Sequence, residues 1–192
     1  LCGSPEVMAL REEVVPEAEG EVLELGMGSG LNLALYDPER VRRVVGVDPG
    51  EHITRLARQR MAAAPVPVEL LGLSGEAIPA DDHAFDTVVV TFTLCTIPDV
   101  YRALGEIRRL LRPGGRLLFA EHGLAPDPDV RRWQRRVDPL WKTLAGGCHL
   151  TRDTVRLLED GGFRMLPGLR ADHAMPGPRV STWVSRGAAV VR

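Results

Sequence analysis

The sequence predicts an α/β fold built on an open, mostly parallel sheet. Three observations predict it. Val22, Leu23 and Leu25 form a short apolar run that breaks into glycines at alternate positions, Gly26, Gly28 and Gly30. Val44-Val45-Gly46-Val47 is a second apolar run, and it ends in a carboxylate, Asp48. Val88-Val89-Val90 is continuous and β-branched, as a strand buried on both faces should be. Strand, glycine loop and helix N-terminus in succession mark the usual nucleotide position at the edge of such a sheet.

Composition sets the outer bounds. The chain has 192 residues, 44% of them hydrophobic and 26% charged, which suits one soluble domain spanning residues 1–192. The formal net charge of −2 gives no electrostatic reason to expect a nucleic-acid partner. Cys2, Cys95 and Cys148 are odd in number and widely spaced, so no metal site is expected. They read as reduced thiols of a cytoplasmic protein. No apolar run reaches the ~18 residues of a membrane span, and no signal peptide is evident.

In chain order, residues 1 to 20 hold a short lead-in helix with Val7, Met8, Leu10 and Val14 along one side. After the glycine loop, Leu31, Leu33, Ala34 and Leu35 predict the start of a helix. The loop departs from the dinucleotide fingerprint, because Leu31 stands where G-x-G-x-x-G needs its last glycine. Glu24 lies inside the strand just before the loop. A carboxylate there would repel a pyrophosphate but not a cationic ligand.

Asp48 follows Gly30 by eighteen residues, near the ~20 expected of a ribose-binding acid at the tip of strand two. Pro49 suits the first turn of the next helix, whose apolar face is Ile53, Leu56, Ala57 and Met61. Val66 to Leu71 reads as strand three and leads into Ser74-Gly75-Glu76. Phe85-Asp86 opens strand four, whose exit, Thr91-Phe92-Thr93, is expected over the ligand. Asp99 caps a helix striped by Val100, Ala103, Leu104, Ile107, Leu110 and Leu111, with Arg108, Arg109 and Arg112 near its C-terminal end. Strand five, Arg116 to Ala120, ends at Glu121-His122.

Asp127 to Ala145 predicts a helix kinked at Pro139, with Val130, Trp133, Val137, Leu140, Trp141 and Leu144 on one face. Its basic residues then form a solvated back. A tight loop carrying Cys148 and His149 follows, then a helix capped by Thr151. The last two strands are placed at Met165 to Arg170 and Val180 to Ser185.

Glu24-x-Gly26-x-Gly28-x-Gly30 resembles motif I of the class I S-adenosylmethionine (SAM) methyltransferases. Asp48, Phe85-Asp86, Leu110-Leu111-Arg112-Pro113-Gly114-Gly115 and Gly161-Gly162-Phe163 follow in that family's order. The chain is similar to the ubiquinone/menaquinone-methyltransferase-like type. The phrases Thr93-Leu94-Cys95, Glu121-His122, Trp133 to Trp141 and Gly147 to Arg152 resemble the alkyl thiol methyltransferase group within it.

The resemblance implies a Rossmann-like, seven-stranded sheet with helices on both faces and the last strand antiparallel. It implies SAM as cofactor, held by Glu24, Gly26, Met27, Gly28, Ser29, Gly30, Asp48 and Pro49. It extends that site to Ser74, Gly75, Glu76, Thr91, Phe92 and Thr93. Ser74 stands where the family often has an adenine-binding Asp. The segment at about 122–152 is then a lid over a small, largely apolar acceptor. Trp133, Val137, Trp141 and Cys148 line its pocket, and His122 and His149 are the candidate bases. A thiol acceptor is one expectation; quinone precursors, phenols, amines and lipid headgroups are others, as is a non-catalytic SAM-binding module. The membrane-anchoring segment of the thiol group is not expected to carry over.

Overall fold

The computed structural model describes residues 3–49, 55–167 and 171–192, leaving aside the side chains of 171–174. Cys2, His52, Ile53 and the side chain of His173 lie outside the described residues. Five parallel strands form the body of the sheet: β1 (Gly20–Leu25), β2 (Val41–Val47), β3 (Val68–Leu71), β4 (Phe85–Thr91) and β5 (Leu111–His122). β8 (Trp183–Val191) pairs antiparallel with β5, and β6 (Phe163–Met165) pairs antiparallel with β8, giving the order β3-β2-β1-β4-β5-β8-β6. The seven expected positions are therefore filled. A short further strand, β7 (Ala171–Ala174), pairs with β8 beside β6.

Alternation along the strands divides the core in two. Leu23, Leu25, Val45, Val47, Val88, Val90, Leu117 and Phe119 point to one face, where α3 (Val100–Leu110) and α5 (Thr154–Asp160) cover them. Val22, Val44, Val89, Leu118 and Ala188 point to the other, against Val14 of α1 (Pro5–Val14), Leu33 and Tyr36. Because both faces are buried, these strands read as unbroken apolar runs rather than alternating ones. Asp99 caps α3 as expected, its side chain accepting from the Arg102 amide at 3.0 Å.

Several boundaries differ from the expectations. The segment after the glycine loop forms a 3₁₀ turn, Leu33–Leu35, instead of a helix. Pro38 disfavours helical backbone at Asp37, so the chain has no length for more before β2. The described part of α2 is Arg55–Ala62, and Pro49 itself is not helical. β3 begins at Val68, after Pro67, and Arg112 belongs to β5 rather than to the preceding helix. The final strand starts at Trp183 and runs to Val191, and Met165 ends β6 instead of opening a strand.

Asp86, at the entry to β4, sits at the sheet end opposite the glycine loop. It accepts from the Glu21 amide at 2.8 Å and pairs with Arg42 and Arg112 at 2.8 and 2.6 Å. Asp86 thereby ties β1, β2 and β5 together, which makes it structural.

Candidate active site

Strand order reverses between β1 and β4, so their carboxyl ends leave a crevice. A cavity of about 500 Å³ occupies it. Its floor is the glycine loop: Gly26, Met27, Gly28 and Ser29. Asp48 and Pro49, Ser74 and Gly75, and Thr91, Phe92 and Thr93 complete its lining.

The loop's shape follows from its residues. Gly26 has φ +74°, and a Cβ there would fall 2.2 Å from Thr93 Oγ1, so β4 can approach only a glycine. Gly28 has φ +54°, and a Cβ there would meet nothing nearer than Gly26 O at 3.9 Å. The room above Gly28 therefore belongs to the cavity. Asp48 Oδ2 accepts from the Gly28 amide at 2.9 Å, joining the tip of β2 to the loop. A carboxylate at the wall, bare backbone on the floor and small residues at 74 and 75 fit a nucleoside with a cationic tail.

Three of the expected cofactor residues stand elsewhere. Glu24 is fully buried beneath the loop, where it accepts from Asn32 Nδ2 at 3.0 Å and Tyr36 Oη at 2.8 Å. Burial pushes its pKa up to about 7, against the pull of Tyr36, Arg11 and Asn32. Gly30 makes the turn, its amide donating to Met27 O at 2.9 Å, and it does not line the cavity. Glu76 turns away to accept from the Asp99 amide at 2.9 Å, bracing the start of α3. Glu24 and Gly30 thus serve the loop's internal structure, and Glu76 serves the start of α3.

Arg11 is the residue that sequence reasoning missed. It is buried in α1, lines the cavity, and donates to Asn32 Oδ1 at 2.7 Å and Thr91 Oγ1 at 2.5 Å. Its guanidinium lies 5.2 Å from the centroid of the Phe92 ring. The available signal was its place, four residues after Val7, on the buried stripe of the helix.

A second cavity of about 400 Å³ adjoins the first, and Phe92 and Thr96 line both. Phe92 holds φ +54°, a left-handed conformation that costs a non-glycine residue about 1–3 kcal/mol. Surrounding bonds enforce it. The Phe92 amide donates to Ala120 O at 2.8 Å, and the Thr93 and Cys95 amides donate to the two Glu121 carboxylate oxygens at 2.7 and 3.2 Å. Glu121 is fully buried, and burial pushes its pKa up to about 7 despite those amides.

The second cavity is lined by Cys95, His122, Trp141, Ala145 and Cys148 together with Val7, Met175, Pro176 and Pro178. His122 is buried, with Nδ1 3.6 Å from Cys148 Sγ. Among the described residues its Nε2 has no hydrogen-bond partner. Cys148 is held below the usual thiol range, chiefly by the Cys95 thiol and also by the His122 ring.

The other candidates of this region are not brought to the cavity. His149 Nδ1 donates to Cys95 O at 3.0 Å and Gly147 O at 2.8 Å, which spends that nitrogen on the loop. α4 (Pro128–Leu144) is continuous through Pro139, but its buried stripe is Val130, Gln134 and Asp138. Gln134 bonds Ala125, Gly123 and Val180 backbone, and Asp138 accepts from the Leu150 amide at 2.7 Å. The helix docks through polar groups, and Trp133, Leu140 and Leu144 are left exposed, with Arg136 over the Trp133 ring. Trp133 and Val137 therefore line neither cavity, whereas Trp141 and Cys148 line the second.

Among the described residues no group of histidine, cysteine and carboxylate side chains could hold a metal ion, and no helix is long and apolar enough to cross a membrane.

Comparison with known proteins fits this geometry. A methyltransferase domain model matches residues 23–119, just over half the chain. The human thiol S-methyltransferase TMT1B is 38% identical over 152 residues, covering 76% of this chain and 62% of that protein. A demethylmenaquinone methyltransferase of Thermus thermophilus is 37% identical over 170 residues, covering 84% of this chain and 70% of that protein. The chain spans under two thirds of the length of the human and rat thiol methyltransferases it matches. In fold, it superposes on a putative methyltransferase from Bacillus halodurans with TM-score 0.70 over 95% of each chain, at 18% identity.

Proposed function

The chain belongs to the class I SAM-dependent methyltransferases, and on that premise we propose that it transfers a methyl group from SAM to a small, largely apolar thiol. The observation that carries the reading is the pair of cavities sharing Phe92 and Thr96, one floored by the glycine loop and the other walled by His122, Trp141 and Cys148.

When bound, SAM supplies a methyl carbon already activated by the sulfonium charge. The protein's work is alignment and exclusion of water. Asp48 and the loop backbone hold the nucleoside, and bare backbone at Gly28 admits it. Phe92, fixed in its strained conformation by Glu121 and Arg11, forms the partition across which donor and acceptor meet. Trp141 and the prolines offer apolar surface to the acceptor's carbon chain. A thiol of reference pKa about 8.5 is partly ionised near neutral pH, so modest base assistance suffices. His122 lines that cavity, and its Nε2 has no partner among the described residues, which supports it as the base for that proton.

A second reading has its own support. The Thermus thermophilus demethylmenaquinone methyltransferase is covered over 70% of its length, more than the thiol enzymes are. A panel of alkyl thiols, phenols, quinols and amines, each offered with methyl-labelled SAM, separates the two. Transfer to thiols supports a thiol acceptor. Transfer confined to quinols or phenols overturns that acceptor and leaves the cofactor assignment standing.

A further inference from the structure

Cys95 and Cys148 are far apart in sequence yet wall the same cavity. Backbone bonding fixes their approach. The amide of His149, next in chain to Cys148, donates to the carbonyl of Cys95 at 2.8 Å, and the His149 ring donates to that same carbonyl. The Cys95 thiol is the foremost of the groups that hold the Cys148 thiol below the usual range. Around them stand His122, with Nδ1 3.6 Å from Cys148 Sγ, the buried Glu121, and Arg152, which donates to Leu94 O. Arg152 and His122 favour a thiolate at position 148 and Glu121 opposes it. Both cysteines line the cavity, Cys148 half-buried and Cys95 buried. An accessible thiol with a protected second thiol against it is the arrangement of an attacking and a resolving cysteine.

We propose that Cys148 and Cys95 form a dithiol exchange site that takes small apolar disulfides in the second cavity. The Cys148 thiolate attacks one sulfur of R–S–S–R. That S–S bond breaks, a Cys148–S–S–R bond forms, and one RS⁻ leaves and is protonated. Cys95 then attacks the Cys148 sulfur, the mixed disulfide breaks, a Cys95–Cys148 disulfide forms, and the second RSH leaves. The two protons and two electrons lost by the dithiol are those gained by the disulfide, and a small external dithiol resets the pair. The exchange stands on the dithiol alone. Only its coupling to methylation, in which the released thiol becomes the acceptor, rests on the thiol reading.

The test needs no SAM. Pre-reduced protein carrying Cys2→Ser is mixed with dithiodipyridine, and thiopyridone release is followed by absorbance and cysteine pairing by peptide mass. The expected result is a rapid release of about two equivalents, with Cys95 joined to Cys148. Cys95→Ser in the same background should release about one equivalent and keep a stable adduct on Cys148. A stable Cys148 adduct in protein that retains Cys95 overturns the proposal. So does a Cys148 that reacts no faster than it does in the denatured chain. Peptide mapping of the Cys95-containing protein decides the matter even if the second variant does not fold.

Discussion

Asp48 Oδ2 accepts a 2.9 Å hydrogen bond from the Gly28 amide, so the acid at the tip of β2 and the centre of the glycine loop form one unit. Removing the carboxylate strips the cavity of its acceptor and loosens the loop. Asp48→Ala should weaken SAM binding by roughly 1.5–3 kcal/mol, the range for hydrogen bonds to a charged group. That is about 10- to 150-fold in the dissociation constant, measured by calorimetry. An unchanged constant would remove Asp48 from the site.

Gly26 and Gly28 separate folding from binding. Gly26→Ala drives a Cβ into Thr93, so it should lower the melting temperature and abolish binding together. Gly28→Ala has open space and bears only the cost of its positive φ, about 1 kcal/mol. It should keep the fold and still bind SAM poorly, because the new methyl enters the ligand's room. Melting curves with and without SAM distinguish the two.

Glu24 gives the protein a stability that falls as pH rises. Its folded pKa is pushed up to about 7, whereas the unfolded chain titrates near 4.5. Between those values the folded state binds the extra proton. The stabilisation is complete below the lower value and is lost as pH climbs through the upper one. The difference amounts to about 3 kcal/mol. Glu24→Gln, which can still bond Asn32 and Tyr36, should flatten the fall in denaturant-derived stability between about pH 5 and 8 by up to that amount. A profile parallel to that of the wild type would show that Glu24 does not titrate on folding.

His122 and Trp141 are separable in kinetics. If His122 takes the acceptor's proton, His122→Gln slows transfer by up to about 30-fold at pH 7, the ratio of total thiol to thiolate at pKa about 8.5. The deficit should close as the pH approaches that pKa. Trp141→Ala should raise KM for an apolar thiol about tenfold, equivalent to losing roughly 55 Å² of apolar contact. Trp133→Ala should change it less than twofold, because that ring faces solvent. Equal effects of the two tryptophan variants would place the acceptor elsewhere.

The parts legible in the sequence were those whose physics is local. Val22 to Leu25, Val44 to Val47 and Val88 to Val90 announce buried strands by their own composition. Gly26, Gly28 and Asp48 announce a loop by spacing. What escaped depends on partners distant in the chain. Arg11 is buried because Asn32 and Thr91 meet it, and Gln134 is buried because Gly123, Ala125 and Val180 do. Apolar periodicity on α4 therefore placed Trp133 and Leu140 inward along with Val130 and Trp141, and only the latter two are. The two cavities meeting at Phe92 were equally hidden, since β4, β5 and the Cys148 loop must first be assembled.

Under the proposed function, in which the two adjoining cavities take a methyl donor and a thiol acceptor, each methyl group leaving the first must arrive in the second. A single-turnover reaction of protein saturated with methyl-labelled SAM and a short alkyl thiol measures that transfer, with both products quantified by mass spectrometry. Labelled thioether and demethylated cofactor should form in equal amounts, with the thioether yield collapsing in the Asp48→Ala variant at limiting SAM. Demethylated cofactor without labelled thioether, or no turnover alongside tight SAM binding, would rule out thiol methylation across Phe92.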